Sequence, residues 1–255
     1  MSAAPDPIRI AMWSGPRNIS TAMMRSFGAR PDCVVSDEPF YGAFLKASGA
    51  PHPMADQIIA DMDCDWHSVL ATQSGAVPDG GAWGDGGLGA APIWYQKHMA
   101  HHMIGPVGIA DMPDHRHAFL IRAPERVAAS YARKNELRSA EMLGFGQMRR
   151  FIEAVAARSD RAPIVVDSDA ILADPARQLA TLCRALGIGW SEHMLSWESG
   201  PHRDDGIWGA HWYDAVNAST GFAAPSRAPG ELGEEYQKTV DACREDYEFM
   251  LKYAI

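Results

Sequence analysis

The sequence has few cysteines and sets none of them close together. Cys33, Cys64, Cys183 and Cys243 form no Cys-x-x-Cys pair, which removes the usual zinc-ribbon and dithiol motifs and suggests four reduced, mostly buried thiols in a cytoplasmic protein. No stretch approaches the roughly 18 apolar residues of a membrane span. The start, MSAAPDPIRIAMW, has neither a basic leader nor a long apolar core, so no signal peptide is expected. Positive charge is also scarce: the formal net charge is −9, which argues against broad binding to nucleic acid or anionic membranes. The Gly-Lys-Ser/Thr ending of an ordinary ATP-binding loop is missing.

What remains is a globular composition, 47% hydrophobic and 22% charged over 255 residues, long enough for a sizeable core in one domain spanning 1–255. Short apolar runs alternate with helical patterns. Ile8 to Trp13, Cys33 to Ser36, Ile93 to Gln96, His117 to Ile121 and "PIVVDS" read as strands. Helical patterns follow from Ile19 to Phe27, through "DEPFYGAFLKASG", from "KHMAHHM", from Pro124, and over Asp169 to Leu186 with a break at its Asp-Pro. A long acidic helix covers Glu234 to Tyr253. The glycine-crowded stretch from Gly75 to Ala91 reads as a loop or lid. Such alternation predicts an α/β fold in three layers, a central parallel sheet of about five strands with helices on both faces. Ligands of such sheets sit at the carboxyl ends of the strands. The loop after Trp13, Glu38, Lys97 and Arg122 all lie there.

"WSGPRNIST" is strand, Gly-Pro turn, cation, hydroxyls, helix. A helix N-terminus offers unpaired N–H groups and partial positive charge, and so attracts anions. Gly15 permits an unusual backbone path, Arg17 adds a planar donor fork, and Ser20 and Thr21 put hydroxyls in the first turn. A second cationic patch begins at Arg122. Between Arg116 and Arg150 eight lysines and arginines face three carboxylates. Helical spacing from Pro124 puts Arg126, Ser130 and Arg133 or Lys134 near one face. "KHMAHHM" also invites a zinc reading, since His98 and His102 are four apart, but no clear third ligand accompanies them.

On these motifs the sequence resembles the P-loop sulfotransferases, from about Ile8 to Ile188. Gly15, Pro16, Arg17, Asn18, Ile19, Ser20 and Thr21 match the 5′-phosphosulfate loop. Ile19 stands where the family has glycine, and Asn18 where it has serine. Arg122, with Ser130 eight residues later, matches the pair that holds a 3′-phosphate. "VVDSDAILADPARQLATLCRALGI" is similar to the family's strand, acidic pair, Asp-Pro and following helix. Relatives with this loop are sometimes labelled branched-chain-aminotransferase-like, yet nothing local supports pyridoxal phosphate chemistry.

The resemblance implies transfer of a sulfuryl group from 3′-phosphoadenosine 5′-phosphosulfate to a small-molecule hydroxyl or amine, without a metal. It implies Arg17 at the leaving phosphate and Lys97 at the bridging oxygen, with Glu38 or His98 as the base. Arg203, near Gly206, would close the 3′-phosphate site. Trp208, Trp212 and Tyr213 would wall the acceptor or simply pack. A small-molecule kinase using ATP and a non-catalytic nucleotide-binding protein are the alternatives on the same fold.

Overall fold

The structure is a computed structural model that describes residues 6–78, 93–133, 136–158, 162–224 and 232–255. Five parallel strands form one sheet: β1 (Ile8–Ser14), β2 (Cys33–Asp37), β3 (Ile93–Met99), β4 (Arg116–Ile121) and β5 (Ile164–Asp167), in the order β2-β3-β1-β4-β5. The helices are α1 (Ser20–Gly28), α2 (Tyr41–Ser48), α3 (Ala55–Asp61), α4 (Trp66–Ser74), α5 (Pro124–Tyr131), α6 (Phe145–Arg158), α7 (Ser168–Ala173), α8 (Pro175–Ala185), α9 (Gly209–Trp212), α10 (Asp214–Asn217) and α11 (Glu234–Leu251). Most of the glycine-crowded stretch, and Lys134, lie outside the described residues. No helix among those described is long and apolar enough to cross a membrane.

Alternation along a strand sends successive side chains to opposite faces. In β1, Ile10 and Met12 join Met23 and Phe27 of α1 and Leu179 and Leu182 of α8. Ala11 and Trp13 join Val127 of α5, Met148 and Phe151 of α6 and Val240 of α11 on the other side. The sheet is therefore apolar on both faces, as parallel sheets are. Asp174, before Pro175, ends α7 and caps α8 through the Arg177 N–H at 3.2 Å, so the Asp-Pro break falls as expected.

One expected helix is absent. The β3 strand runs on to Met99, and only a single 3₁₀ turn, Ala100–His102, follows. Its ladder is held on both sides: Lys97 lies opposite Met12 and Asp37, and its carbonyl accepts the Glu38 N–H at 2.9 Å. Pairing with two neighbours outweighs the local helical pattern. The i, i+4 geometry behind the zinc reading of His98 and His102 goes with that helix.

A segment after Trp197 folds back over the strand ends. Asp205 takes both guanidinium nitrogens of Arg25 from α1, one of them at 2.7 Å, and Asn217 accepts from Arg25 at 3.1 Å. Arg25 is buried, and a charge so placed needs such partners.

Burial keeps the histidines of the interior neutral. The pKa values of His101, His115 and His117 are pushed down to about 4, and those of His98 and His102 well below the usual value. An unfolded chain protonates these rings near pH 6.5. As pH falls from about 6.5 towards 4, the unfolded state gains protons that the fold refuses, so stability drops with pH across that window. Urea midpoints should fall steadily from pH 7 to pH 5, and a flat profile would mean that the rings are in contact with water.

Candidate active site

A cavity of about 460 Å³ opens at the carboxyl ends of the strands. It is lined by Pro16 to Ala22, by Glu38 and Tyr41, by Lys97, His101 and His102, by Arg122 and Ser130, and by Trp208, Trp212 and Tyr213. Its volume suits a small ligand.

One wall is the loop between β1 and α1. Gly15 is required there, because a Cβ would sit 2.2 Å from the Leu143 carbonyl oxygen. Arg17 has φ 63° and Ile19 φ 55°, both left-handed. Ile19 is β-branched, and that conformation suits glycine far better. Ile19 gives α1 no side-chain cap, so the first-turn N–H groups remain for a ligand. Asn18 is buried beneath, its Nδ2 donating to the Leu120 carbonyl at 3.3 Å, and Ser168 Oγ lies 3.0 Å from the Asn18 carbonyl oxygen.

Cations gather on this wall. Arg17 Nε donates to Ser130 Oγ at 3.0 Å, and an Arg122 nitrogen donates to the Arg17 carbonyl at 3.2 Å. Arg122 also meets Asp169 at 3.3 Å, and Arg126 meets the other oxygen of Asp169 at 2.9 Å. The Arg17 pKa is pushed down by burial and then by the charges of Arg133 and Arg122. Like charges crowded in a half-buried site are relieved by an anion.

The facing wall is a buried charge network. The Lys97 ammonium, 1% exposed, donates to Asp37 Oδ1 at 2.8 Å, to Tyr213 Oη at 2.8 Å and to Glu38 Oε1. Burial alone would lower its pKa, but Asp37 and Glu38 outweigh that and hold it well above the usual value. Burial pushes the Glu38 carboxyl up, the Asp37 charge adds to this, and Lys97 opposes it. Glu38 itself has φ 44°. His102 Nδ1 lies 3.7 Å from Glu38 Oε2, and its ring stacks on Tyr41 at 4.4 Å between centroids.

A family model described as "Sulfotransferase domain" matches residues 8–235. The chain belongs to this sulfotransferase domain family. Among curated proteins it is similar to branched-chain-amino-acid aminotransferase-like proteins 2 and 1 of Arabidopsis thaliana. The first is 31% identical over 92% of this chain and 40% of its own length, the second 33% over 88% and 38%. The chain thus spans about two-fifths of the length of these relatives. Among solved structures it is similar to the sulfotransferase from Alicyclobacillus acidocaldarius (TM-score 0.53, 11% identity, 100% of this chain and 98% of that one). It is also similar to the sulfotransferase domain from the Synechococcus PCC 7002 olefin synthase (TM-score 0.51, 16% identity, 94% and 95%). At these identities the two structures support the P-loop-type α/β fold.

All of the sequence-derived site residues but Gly15, His98 and Arg203 line the cavity of this sulfotransferase domain, and Gly15 packs against Leu143 at the start of the loop. His98 points to the opposite face of the sheet from Lys97, as strand alternation requires. Its ring stacks on Trp13 at 4.5 Å, with Nε2 3.3 Å from Gln96 Oε1. Arg203 stands outside, its side chain 67% exposed and 3.3 Å from Asp204. The turn that carries Arg203 is closed on itself by Asp205, which accepts the His202 N–H at 2.9 Å, so its tip faces solvent. Sequence reasoning missed Tyr41 and Asp169 and weighed His102 only as a zinc partner of His98. Spacing counted along a strand from Lys97, then round one turn, would have put His102 on the cavity side. Gly15→Ala should cost about 1–3 kcal/mol through forced displacement of the loop, measured by urea unfolding, while an unchanged midpoint would show that the loop can move away from Leu143.

Proposed function

We propose that this domain transfers a sulfuryl group from 3′-phosphoadenosine 5′-phosphosulfate to a small-molecule hydroxyl or amine. The observation that carries the reading is one cavity with two chemically opposed walls. Arg17 and the α1 N-terminus stand with Arg122 and Ser130 on one side, and the buried carboxylate of Glu38 stands on the other. The donor set fits the nucleotide, because crowded cations and free helix N–H groups favour an anion with more than one phosphate. Arg17, Ser20, Thr21 and the loop backbone would hold its 5′ end. Arg122 and Ser130 would hold its 3′-phosphate. When bound, the nucleotide supplies an activated sulfuryl group.

The domain's own residues supply the rest. Arg17 places positive charge where the leaving phosphate gains negative charge. Glu38 takes the proton of the acceptor at its cavity-facing oxygen. Its raised pKa makes it a better base near neutrality than an exposed glutamate. Tyr41, Trp208 and Trp212 shield the reacting groups from water.

Two substitutions separate these roles. Arg122→Ala should weaken 3′,5′-adenosine bisphosphate about 10–100-fold in a calorimetric titration and leave AMP nearly unchanged, since a charge-assisted contact is worth ~1.5–3 kcal/mol. Equal losses for both nucleotides would show that Arg122 only braces the Arg17 loop. Glu38→Gln should lower turnover ~10²–10⁴-fold and keep bisphosphate affinity. Turnover that survives this change would move the base elsewhere.

A further inference from the structure

The two carboxylates beside Lys97 are not equivalent. Asp37 is used at both oxygens. Its Oδ1 accepts from Lys97 at 2.8 Å, and its Oδ2 accepts from the Tyr213 hydroxyl at 2.7 Å and the Gly206 N–H at 3.1 Å. Glu38 is used at one. Its Oε1 accepts from Lys97, while Oε2 has His102 Nδ1 at 3.7 Å, beyond hydrogen-bond distance. An ammonium has three N–H donors, and Lys97 directs them to Asp37, Glu38 and Tyr213. The Tyr213 oxygen also receives the Trp208 indole N–H at 3.1 Å.

We propose that Asp37 and Tyr213 are positioning residues: they hold the Lys97 ammonium against one oxygen of Glu38 and leave the other as the proton acceptor in the cavity. The inference rests on Glu38 as the base. It also gives Lys97 a task other than reaching the bridging oxygen, since its donors are engaged within the protein. Arg17 is then the cation for the leaving phosphate. The arrangement links the base to the segment after Trp197, because Gly206, Trp208 and Tyr213 all come from it.

The two partners act on Glu38 in opposite senses. The titratable groups around it are Asp37 from β2, Lys97 from β3, Tyr41 from α2, His102 from the 3₁₀ turn and Tyr213 from the returning segment. Tyr213→Phe takes a hydrogen bond from Asp37 and an anchor from Lys97. Asp37 then draws the ammonium harder, and Glu38 loses part of its counter-charge. Asp37→Asn removes the competing charge and gives the ammonium to Glu38 alone.

The test is the pH dependence of kcat in the whole chain, with 3′,5′-adenosine bisphosphate affinity as the check on folding. Tyr213→Phe should move the acid limb up, and Asp37→Asn should move it down, each by about half to one pH unit. The rate deficit of Tyr213→Phe should therefore shrink as pH rises. Shifts of the same sign, or equal losses at every pH, would overturn the proposal. Titration of ¹³C-labelled glutamate carboxyls, with Glu38→Gln identifying the signal, reads the same shifts without turnover. Opposite shifts in a protein that transfers nothing would count against sulfuryl transfer and leave the network standing. Should Asp37→Asn not fold, the sign for Tyr213→Phe decides alone.

Discussion

A lysine ammonium buried at the end of a central strand is the constraint on which this site depends. Taking such a charge out of water costs several kcal/mol unless partners surround it. Lys97 finds them on two distant parts of the chain: Asp37 at the end of β2 with Glu38 one residue later, and Tyr213 from the segment after Trp197. Satisfying that one charge fixes where β2 ends, turns Glu38 towards the cavity, and seals the returning segment against the sheet. Arg25 makes a second such seal through Asp205.

The backbone bears the cost of the arrangement. Arg17, Ile19 and Glu38 are the three non-glycine residues with positive φ among those described, and all three line the cavity. Each conformation costs on the order of 1–3 kcal/mol and persists only where surroundings over-determine it. Here those surroundings are visible. Asn18 and Ser168 lock the Arg17 loop from below, and Lys97 holds Glu38 from the side. The isoleucine in a conformation that suits glycine is absorbed as strain at the entry to α1.

Much of this was legible in the sequence. Five short apolar runs became five parallel strands, because buried parallel strands need no polar alternation. The Arg17 loop, Glu38, Lys97 and Arg122 were readable as strand-end residues and Ser130 as a residue of the helix after Arg122, and the fold collects them at one end of the sheet. What escaped was set by distant partners. The helix expected at "KHMAHHM" gave way to strand pairing on both sides, and that reversed the face of His98. Arg203 carried the right charge near the right glycine, but a turn closed by Asp205 points it outward. The difference between Asp37 and Glu38 had no local signal, since it depends on Tyr213 and Gly206 far along the chain.

The central claim is that the strand-end cavity is built for phosphates at both ends of a ribose, with no ordinary nucleotide-triphosphate loop. Direct calorimetric titration of the whole chain with 3′,5′-adenosine bisphosphate and with ATP and magnesium tests it. The account predicts that the bisphosphate binds at least tenfold more tightly, since each well-placed charged contact is worth ~1.5–3 kcal/mol. Equal affinity, or a preference for ATP, would contradict it.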